Sequence, residues 1–147
     1  MFTLARIVIL VTALGTAVAV KAPDYSRWYP FSDAQALAEK ASRPVMVYFW
    51  SESCYFCEQM NTYVLSDPSV SKLLEERFVV ASVDMYSPEG RELASRYGAL
   101  GTPTFVFLAY QQGTWRELGR LFGSRPRAQF FDELQRICTK ARGGDCG

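Results

Sequence analysis

Four cysteines are the residues whose type and spacing point most directly to chemistry. The chain has 147 residues and no histidine, which excludes Ser-His-Asp and Cys-His nucleophilic mechanisms and HExxH metal sites. Cys54 and Cys57 enclose only Tyr55 and Phe56. Two cysteines spaced i, i+3 on a helix share one face, so their sulfur atoms can close a small disulfide ring. This pair therefore predicts thiol–disulfide chemistry.

The elements around the pair must give its two sulfurs different surroundings. Val45–Trp50 is apolar throughout, which predicts a strand buried on both faces of a sheet. A turn at 51–53 follows, and 54–65 has a helical pattern. Cys54 then lies at a helix start, where free backbone N–H groups favour a thiolate, and Cys57 lies one turn deeper. We predict that Cys54 attacks a substrate disulfide and Cys57 resolves the mixed disulfide.

Two other interpretations of the first pair remain open from spacing alone. Two cysteines are half of a zinc site, but Cys138 and Cys146 lie far away in sequence and form no second CxxC. A purely structural disulfide is the other alternative, although so short a loop restrains little of the unfolded chain. We predict no metal site.

Cys138 and Cys146 form a second candidate pair near the end of the chain. Cys138 falls late in the last predicted helix, and Gly143 and Gly144 allow the chain to fold back. A disulfide between them closes a loop of about nine residues, and we expect it to be a structural staple. The alternatives are a thiol pair that exchanges with the CxxC, or free and intermolecular cysteines.

The remaining elements alternate as in an α/β protein. Early strands separated by helices imply parallel pairing, and a short turn between the last two strands implies a hairpin. We expect the first helix to be capped by Ser32 or Asp33 and the third by Asp67. The predicted order is α (31–42), β (45–50), α (54–65), α (from Pro68), β (78–83), α (87–97), β (104–110), β (115–122) and α (from Pro126).

The composition indicates one globular domain and excludes some classes of partner. Half of the residues (49%) are apolar and 21% are charged, a balance that suits a packed core. The net charge is only +1, and no strongly basic stripe suggests binding to nucleic acid.

The first twenty residues have the pattern of a secretory signal. Arg6 precedes an uncharged apolar run, 7–20, which is short for a membrane span but typical of a signal peptide. Small residues, Ala17 and Ala19, fit a cleavage site. An uncleaved membrane anchor and a buried N-terminal helix are the alternatives.

These patterns divide the chain into three segments. We assign 1–22 to the signal peptide or anchor, 23–141 to a single domain, and 142–147 to a flexible glycine-containing tail. Export predicts an extracytoplasmic protein, periplasmic or secreted, in a compartment where disulfides persist. The protein would contact a membrane only if the first segment stayed uncleaved.

A set of short motifs is spread over the predicted domain. They are Tyr48-Phe49-Trp50, Cys54-Tyr55-Phe56-Cys57, Val83-Asp84, Tyr97-Gly98, Gly101-Thr102-Pro103-Thr104-Phe105 and the hairpin at 119–123. With these motifs, the sequence resembles the thioredoxin superfamily across roughly residues 31–140. The stretch 60–70, followed by Phe78 and Val79, is similar to the periplasmic C-terminal domain of DsbD-type interchange proteins and to SoxW-like thioredoxins. The resemblance implies a thioredoxin fold: a mixed four-stranded sheet flanked by helices, with an additional N-terminal helix.

The resemblance also implies a substrate site beside the disulfide. The family's matching proline is cis, so Pro103 would turn the backbone of Thr102 outward to pair with an extended substrate. The alternative is that Pro103 starts a strand in the trans form. We expect Tyr55 and Phe56 to form an apolar docking rim.

Two positions depart from the family pattern. Tyr48 stands where classical thioredoxins have a buried aspartate, and a phenol accepts protons poorly near neutral pH. Neither Glu52 nor Glu58 has a spacing that guarantees contact with Cys57. Ser53 replaces the usual tryptophan. With no cation or histidine between the cysteines, a reductase or mild exchange catalyst is favoured over a strong oxidase.

The sequence thus predicts an extracytoplasmic thiol:disulfide oxidoreductase. Its partners would be protein disulfides or dithiols and an unidentified redox protein, with no cofactor. The alternative is a redox-inert module that keeps the fold and binds peptides or acts as a chaperone, which retention of both Cys54 and Cys57 disfavours.

Overall fold

The computed structural model describes residues 28–143 together with Cys146. The predicted signal peptide at 1–22 lies outside the described residues, and of the predicted tail only Arg142, Gly143 and Cys146 are described. None of the described helices is long and apolar enough to cross a membrane.

Strands and helices alternate along the described residues. The strands are β1 (Trp28–Tyr29), β2 (Val45–Trp50), β3 (Val79–Asp84), β4 (Thr104–Gln111) and β5 (Thr114–Phe122). The α-helices are α1 (Phe31–Ala41), α2 (Tyr55–Met60), α3 (Pro68–Arg77), α4 (Pro88–Tyr97) and α5 (Arg127–Arg142). The strands form one sheet in the order β1-β3-β2-β4-β5. β3 runs parallel to β1 and β2, whereas β4 is antiparallel to β2 and β5.

Strand β2 lies at the centre of the sheet and is buried on both faces. Met46 and Tyr48 point into a core shared with α2, α3 and α5. Val47 and Phe49 point into a second core, shared with α1 and α4. Because successive side chains of a strand alternate between faces, a strand with helices on both sides must be apolar at every position.

The predicted order of helices and strands is confirmed, but the sheet has one strand more than the four expected. Trp28 and Tyr29 form β1, an edge strand that pairs with Val80 and Ala81 of β3. Two residues are too few to show the alternation by which a strand is identified in a sequence.

Helix starts agree with the prediction where a polar cap is present. Asp67 caps α3 by accepting hydrogen bonds from the N–H groups of Ser69 and Val70, at 3.0 and 3.3 Å. The expected cap of α1 was wrong. That helix begins at Phe31, after Pro30 and without a side-chain cap. The fixed φ angle of proline suits this position, so no side-chain oxygen is required to define the start.

The second predicted helix is divided into two parts. Cys54 is its N-cap, α2 covers Tyr55–Met60, and a π-helical turn continues it over Asn61–Leu65. Such turns insert one residue into an α-helix and are common near functional sites. The apolar spacing of 54–65 does not reveal the change of pitch.

Helix α4 begins in close contact with the end of β3. The Ser87 hydroxyl donates to the Asp84 carbonyl at 2.8 Å and accepts from the Gly90 N–H at 2.9 Å. A Cβ atom at Gly90 would overlap the same Asp84 carbonyl oxygen. Only glycine therefore allows this approach without a shift of the backbone.

We predict that Gly90→Ala lowers the free energy of unfolding by about 1–3 kcal/mol. The added methyl group would overlap the Asp84 carbonyl, so the backbone of β3 or α4 would have to shift. Thermal or urea unfolding followed by circular dichroism measures this change. Ser95→Ala is the control, since Ser95 is exposed on the same helix and its replacement should leave stability within about 0.5 kcal/mol. Equal stabilities of the two variants would contradict the predicted contact.

Candidate active site

The first cysteine pair is a disulfide at the start of α2. The Cα atoms of Cys54 and Cys57 are 5.2 Å apart. Cys54 is the N-cap residue, and its Sγ accepts a hydrogen bond from the Cys57 backbone N–H at 3.0 Å. After reduction, the same N–H group would stabilise a thiolate on Cys54, because charge-assisted hydrogen bonds are stronger than neutral ones.

The two sulfurs differ in their access to solvent. Cys54 is half-buried, whereas Cys57 is 3% exposed and packs in the core beside Met60. An attacking or attacked sulfur must be reachable by its partner. Only Cys54 meets that condition in the oxidised protein.

Thr102 lies in the same cleft as Cys54, and Pro103 follows it in the chain. The bond between them is cis, and Pro103 is buried. The Thr102 hydroxyl lies 3.2 Å from the Ser51 hydroxyl, which joins this loop to the turn before Cys54. Thr102 and Cys54 line the same surface cleft. The Thr102 backbone forms no hydrogen bond within the part of the chain that the structure describes.

Exposed aromatic rings surround this cleft. Tyr55 and Phe56 are 66% and 52% exposed, with ring centroids 5.5 Å apart. Tyr86, which the sequence reasoning missed, is 68% exposed and lines the cleft from the turn after β3. The available signal was topological. Because β3 is parallel to β2, residues just beyond its carboxyl end lie at the same sheet edge as Cys54.

Carboxylates also reach the cleft, but none is buried beneath the disulfide. Glu52 and Asp84 line the cleft, and Glu58 is exposed on α2. No aspartate or glutamate is among the buried residues of the described chain.

Tyr48 occupies the position of the missing aspartate. It is 1% exposed and stacks on Phe105 with centroids 4.8 Å apart. Its hydroxyl donates a hydrogen bond to Asn61 Oδ1 at 3.1 Å. The buried phenol therefore donates a hydrogen bond within the core that also contains Cys57.

The second cysteine pair is also a disulfide, and both of its residues are buried. The Cα atoms of Cys138 and Cys146 are 5.7 Å apart, and the residues are 0% and 4% exposed. Cys138 lies on the inner face of α5 with Leu134 and Ile137. All four cysteines are thus in two separate bonds, and no metal-ligating cluster occurs among the described residues.

A family model for the thioredoxin-like domain matches residues 31–137, and the chain belongs to the thioredoxin-like family. It is 34% identical over 104 residues to the thiol:disulfide interchange protein DsbD of Vibrio vulnificus. The matched stretch covers 69% of this chain and 17% of the relative. DsbD 1 of Pseudomonas aeruginosa is 30% identical over 108 residues, with coverage of 73% and 18%. The chain thus spans about a sixth of the length of these curated relatives.

Solved structures extend the similarity to the whole domain. A thioredoxin from Thermus thermophilus is 62% identical with a TM-score of 0.76, covering 80% of this chain and 90% of that one. The oxidised C-terminal domain of Neisseria meningitidis DsbD is 26% identical with a TM-score of 0.57, covering 75% and 98%. These similarities confirm the predicted thioredoxin superfamily.

We predict that the double variant Cys138→Ala, Cys146→Ala is less stable by about 2 kcal/mol. Without the disulfide that closes the loop of about nine residues, the unfolded chain gains conformational entropy. Its rate of disulfide reduction should equal that of the wild type, since both residues are buried and neither lines the cleft. Urea unfolding and an insulin-reduction assay with dithiothreitol measure the two quantities. A folded double variant that had lost most of its activity would show that the second pair is a redox relay instead.

Proposed function

We propose that the protein is an extracytoplasmic thiol:disulfide oxidoreductase that exchanges dithiols and disulfides with partner proteins through Cys54 and Cys57. One observation carries the proposal. The disulfide has one accessible sulfur, on Cys54, which accepts a backbone N–H bond, and one buried sulfur, on Cys57. The names of the DsbD relatives as interchange proteins support the same activity.

The proposed reduction of a substrate proceeds in two balanced steps. The Cys54 thiolate attacks one sulfur of the substrate disulfide, forming a mixed disulfide and releasing one substrate thiolate. Cys57 then loses its proton as its sulfur attacks Cys54 Sγ, and the second substrate sulfur leaves as a thiol. The substrate gains two electrons and the enzyme disulfide is restored. A redox partner protein must then reduce it before the next turnover, and no cofactor takes part.

Thr102 is the proposed binding element for an extended substrate segment. Its free backbone groups lie in the cleft with Cys54. A substrate strand could pair with them and so present its cysteine to Cys54 Sγ. Tyr55 and Phe56 provide the apolar rim on which side chains of that segment would pack.

The extracytoplasmic location rests on two features of the chain. The sequence of residues 1–22 has the pattern of a secretory signal. The buried bond between Cys138 and Cys146 is of a kind that persists in oxidising compartments and is rare in the cytosol of mesophiles.

We predict that Cys57→Ser traps mixed disulfides with partner proteins and that Cys54→Ser traps none. Without the resolving thiol, the Cys54 adduct accumulates; without the nucleophile, no adduct forms. Non-reducing electrophoresis after incubation with a periplasmic or secreted protein fraction measures the adducts. The reverse pattern would overturn the assignment of roles, and the absence of adducts in both variants would favour a redox-inert peptide-binding or chaperone module.

The direction of exchange is predicted from the two residues between the cysteines. Tyr55 and Phe56 carry no positive charge that would add to the stabilisation of a Cys54 thiolate by the Cys57 N–H group, so we expect no strong stabilisation of the reduced form. We expect a reduction potential nearer to the value of about −270 mV for thioredoxin than to about −120 mV for DsbA. Equilibration with a glutathione or dithiothreitol buffer measures it. A value near that of DsbA would identify an oxidant.

A further inference from the structure

The cleft beside the disulfide has two walls built by different parts of the chain. One wall is the turn before α2 and the first residues of that helix, which contribute Glu52, Tyr55 and Phe56. The other wall is the turn between β3 and α4, which contributes Asp84 and Tyr86. Cys54 lies between the walls. A side chain bound there would lie next to the bond that exchanges.

The second wall is held in a fixed position. The Tyr86 N–H donates to Asp84 Oδ1 at 3.0 Å, and the Ser87 N–H donates to the Asp84 carbonyl at 3.1 Å. The Arg91 side chain, which does not line the cleft, donates to the Tyr86 carbonyl at 2.5 Å. These bonds fix the backbone of the turn while the Tyr86 ring stays 68% exposed. A large exposed ring on a rigid turn offers contact area at little cost in conformational entropy.

The charge of the cleft has one sign. Glu52 and Asp84 line it, and no lysine or arginine does so among the described residues. Glu52 is exposed and forms no hydrogen bond or ion pair with any residue that the structure describes. The cleft therefore combines two acidic groups, of which Glu52 has no partner among the described residues, with three exposed aromatic rings.

We propose that this cleft binds a lysine or arginine side chain next to the reacting cysteine of a substrate, so that the protein prefers disulfides flanked by basic residues. The inference rests on the proposed function and names the class of substrate. The aliphatic stem of a basic side chain packs on aromatic rings, its charged head is attracted by ring faces, and Glu52 lies within the same cleft. A neutral polar or acidic residue lacks these contacts.

The test uses the reduced mature protein and two cyclic peptides with one internal disulfide. The peptides are identical except that arginine or glutamine flanks each cysteine. Each rate constant is divided by the rate constant for dithiothreitol with the same peptide, which removes the effect of the charge on the intrinsic reactivity of the disulfide. We expect the arginine peptide to react about fivefold faster at low salt, and this preference to decrease at high ionic strength because Glu52 is exposed.

Variants localise the preference to the cleft. Glu52→Gln and Tyr86→Ala should each lower the ratio of the two rates, whereas Tyr86→Phe, which keeps the ring, should retain it. Glu58→Gln is the matched control. It removes the same charge from an exposed position on α2 that does not line the cleft, and it should leave the ratio unchanged.

The outcomes separate this inference from the function on which it rests. If the wild type reduces neither peptide, the proposed oxidoreductase function fails. If it reduces both at the same corrected rate, the function stands and the preference for basic residues is wrong. If Glu52→Gln and Glu58→Gln lower the ratio equally, general charge attraction explains the preference and binding in the cleft is overturned.

Discussion

The burial of β2 on both faces is the constraint on which the rest of the site depends. Its neighbours in the sheet are β3 and β4, with Trp50 opposite Asp84 and Phe49 opposite Thr104. The chain therefore leaves β2 and β3, and enters β4, at the same sheet edge. The turn that carries Cys54, the turn that carries Tyr86 and the loop that carries Thr102 must meet there. These loops need little conformational precision of their own because the strands already fix their ends.

Strong local patterns made most of this architecture predictable. An uninterrupted apolar run identifies β2, and Asp67 before Pro68 identifies the start of α3, because each feature acts within a few residues. Features that depend on distant residues left no such signal. β1 is an edge strand of two residues that exists only through its pairing with β3. Tyr86 lies in a turn after a strand, and its local sequence does not distinguish it from other turn residues. Only the parallel pairing of β2 with β3 brings it into the cleft with Cys54.

Tyr48 stands where classical thioredoxins have a buried aspartate, and the fold is kept. An aromatic ring fills its site and stacks on Phe105, so packing is preserved. What is lost is a buried proton acceptor, and the described core has no other carboxylate to replace it. In the proposed cycle, the proton that leaves Cys57 passes to water, to a carboxylate of the cleft or to a substrate thiolate. The substrate thiolate is produced by the reaction itself at the exposed side of Cys54, so the chemistry supplies a base that the described core lacks.

The two disulfides consist of the same bond in different surroundings, and the surroundings decide what each can do. Exchange requires that a thiolate approach one sulfur in line with the bond. The core excludes this approach at Cys138 and Cys146, which are packed with apolar side chains of α5. At the other bond, the helix start leaves Cys54 partly open, while Cys57 is buried. In the proposed cycle, placing one cysteine at a helix N-cap and the other one turn deeper determines both the site of attack and the order of the two steps.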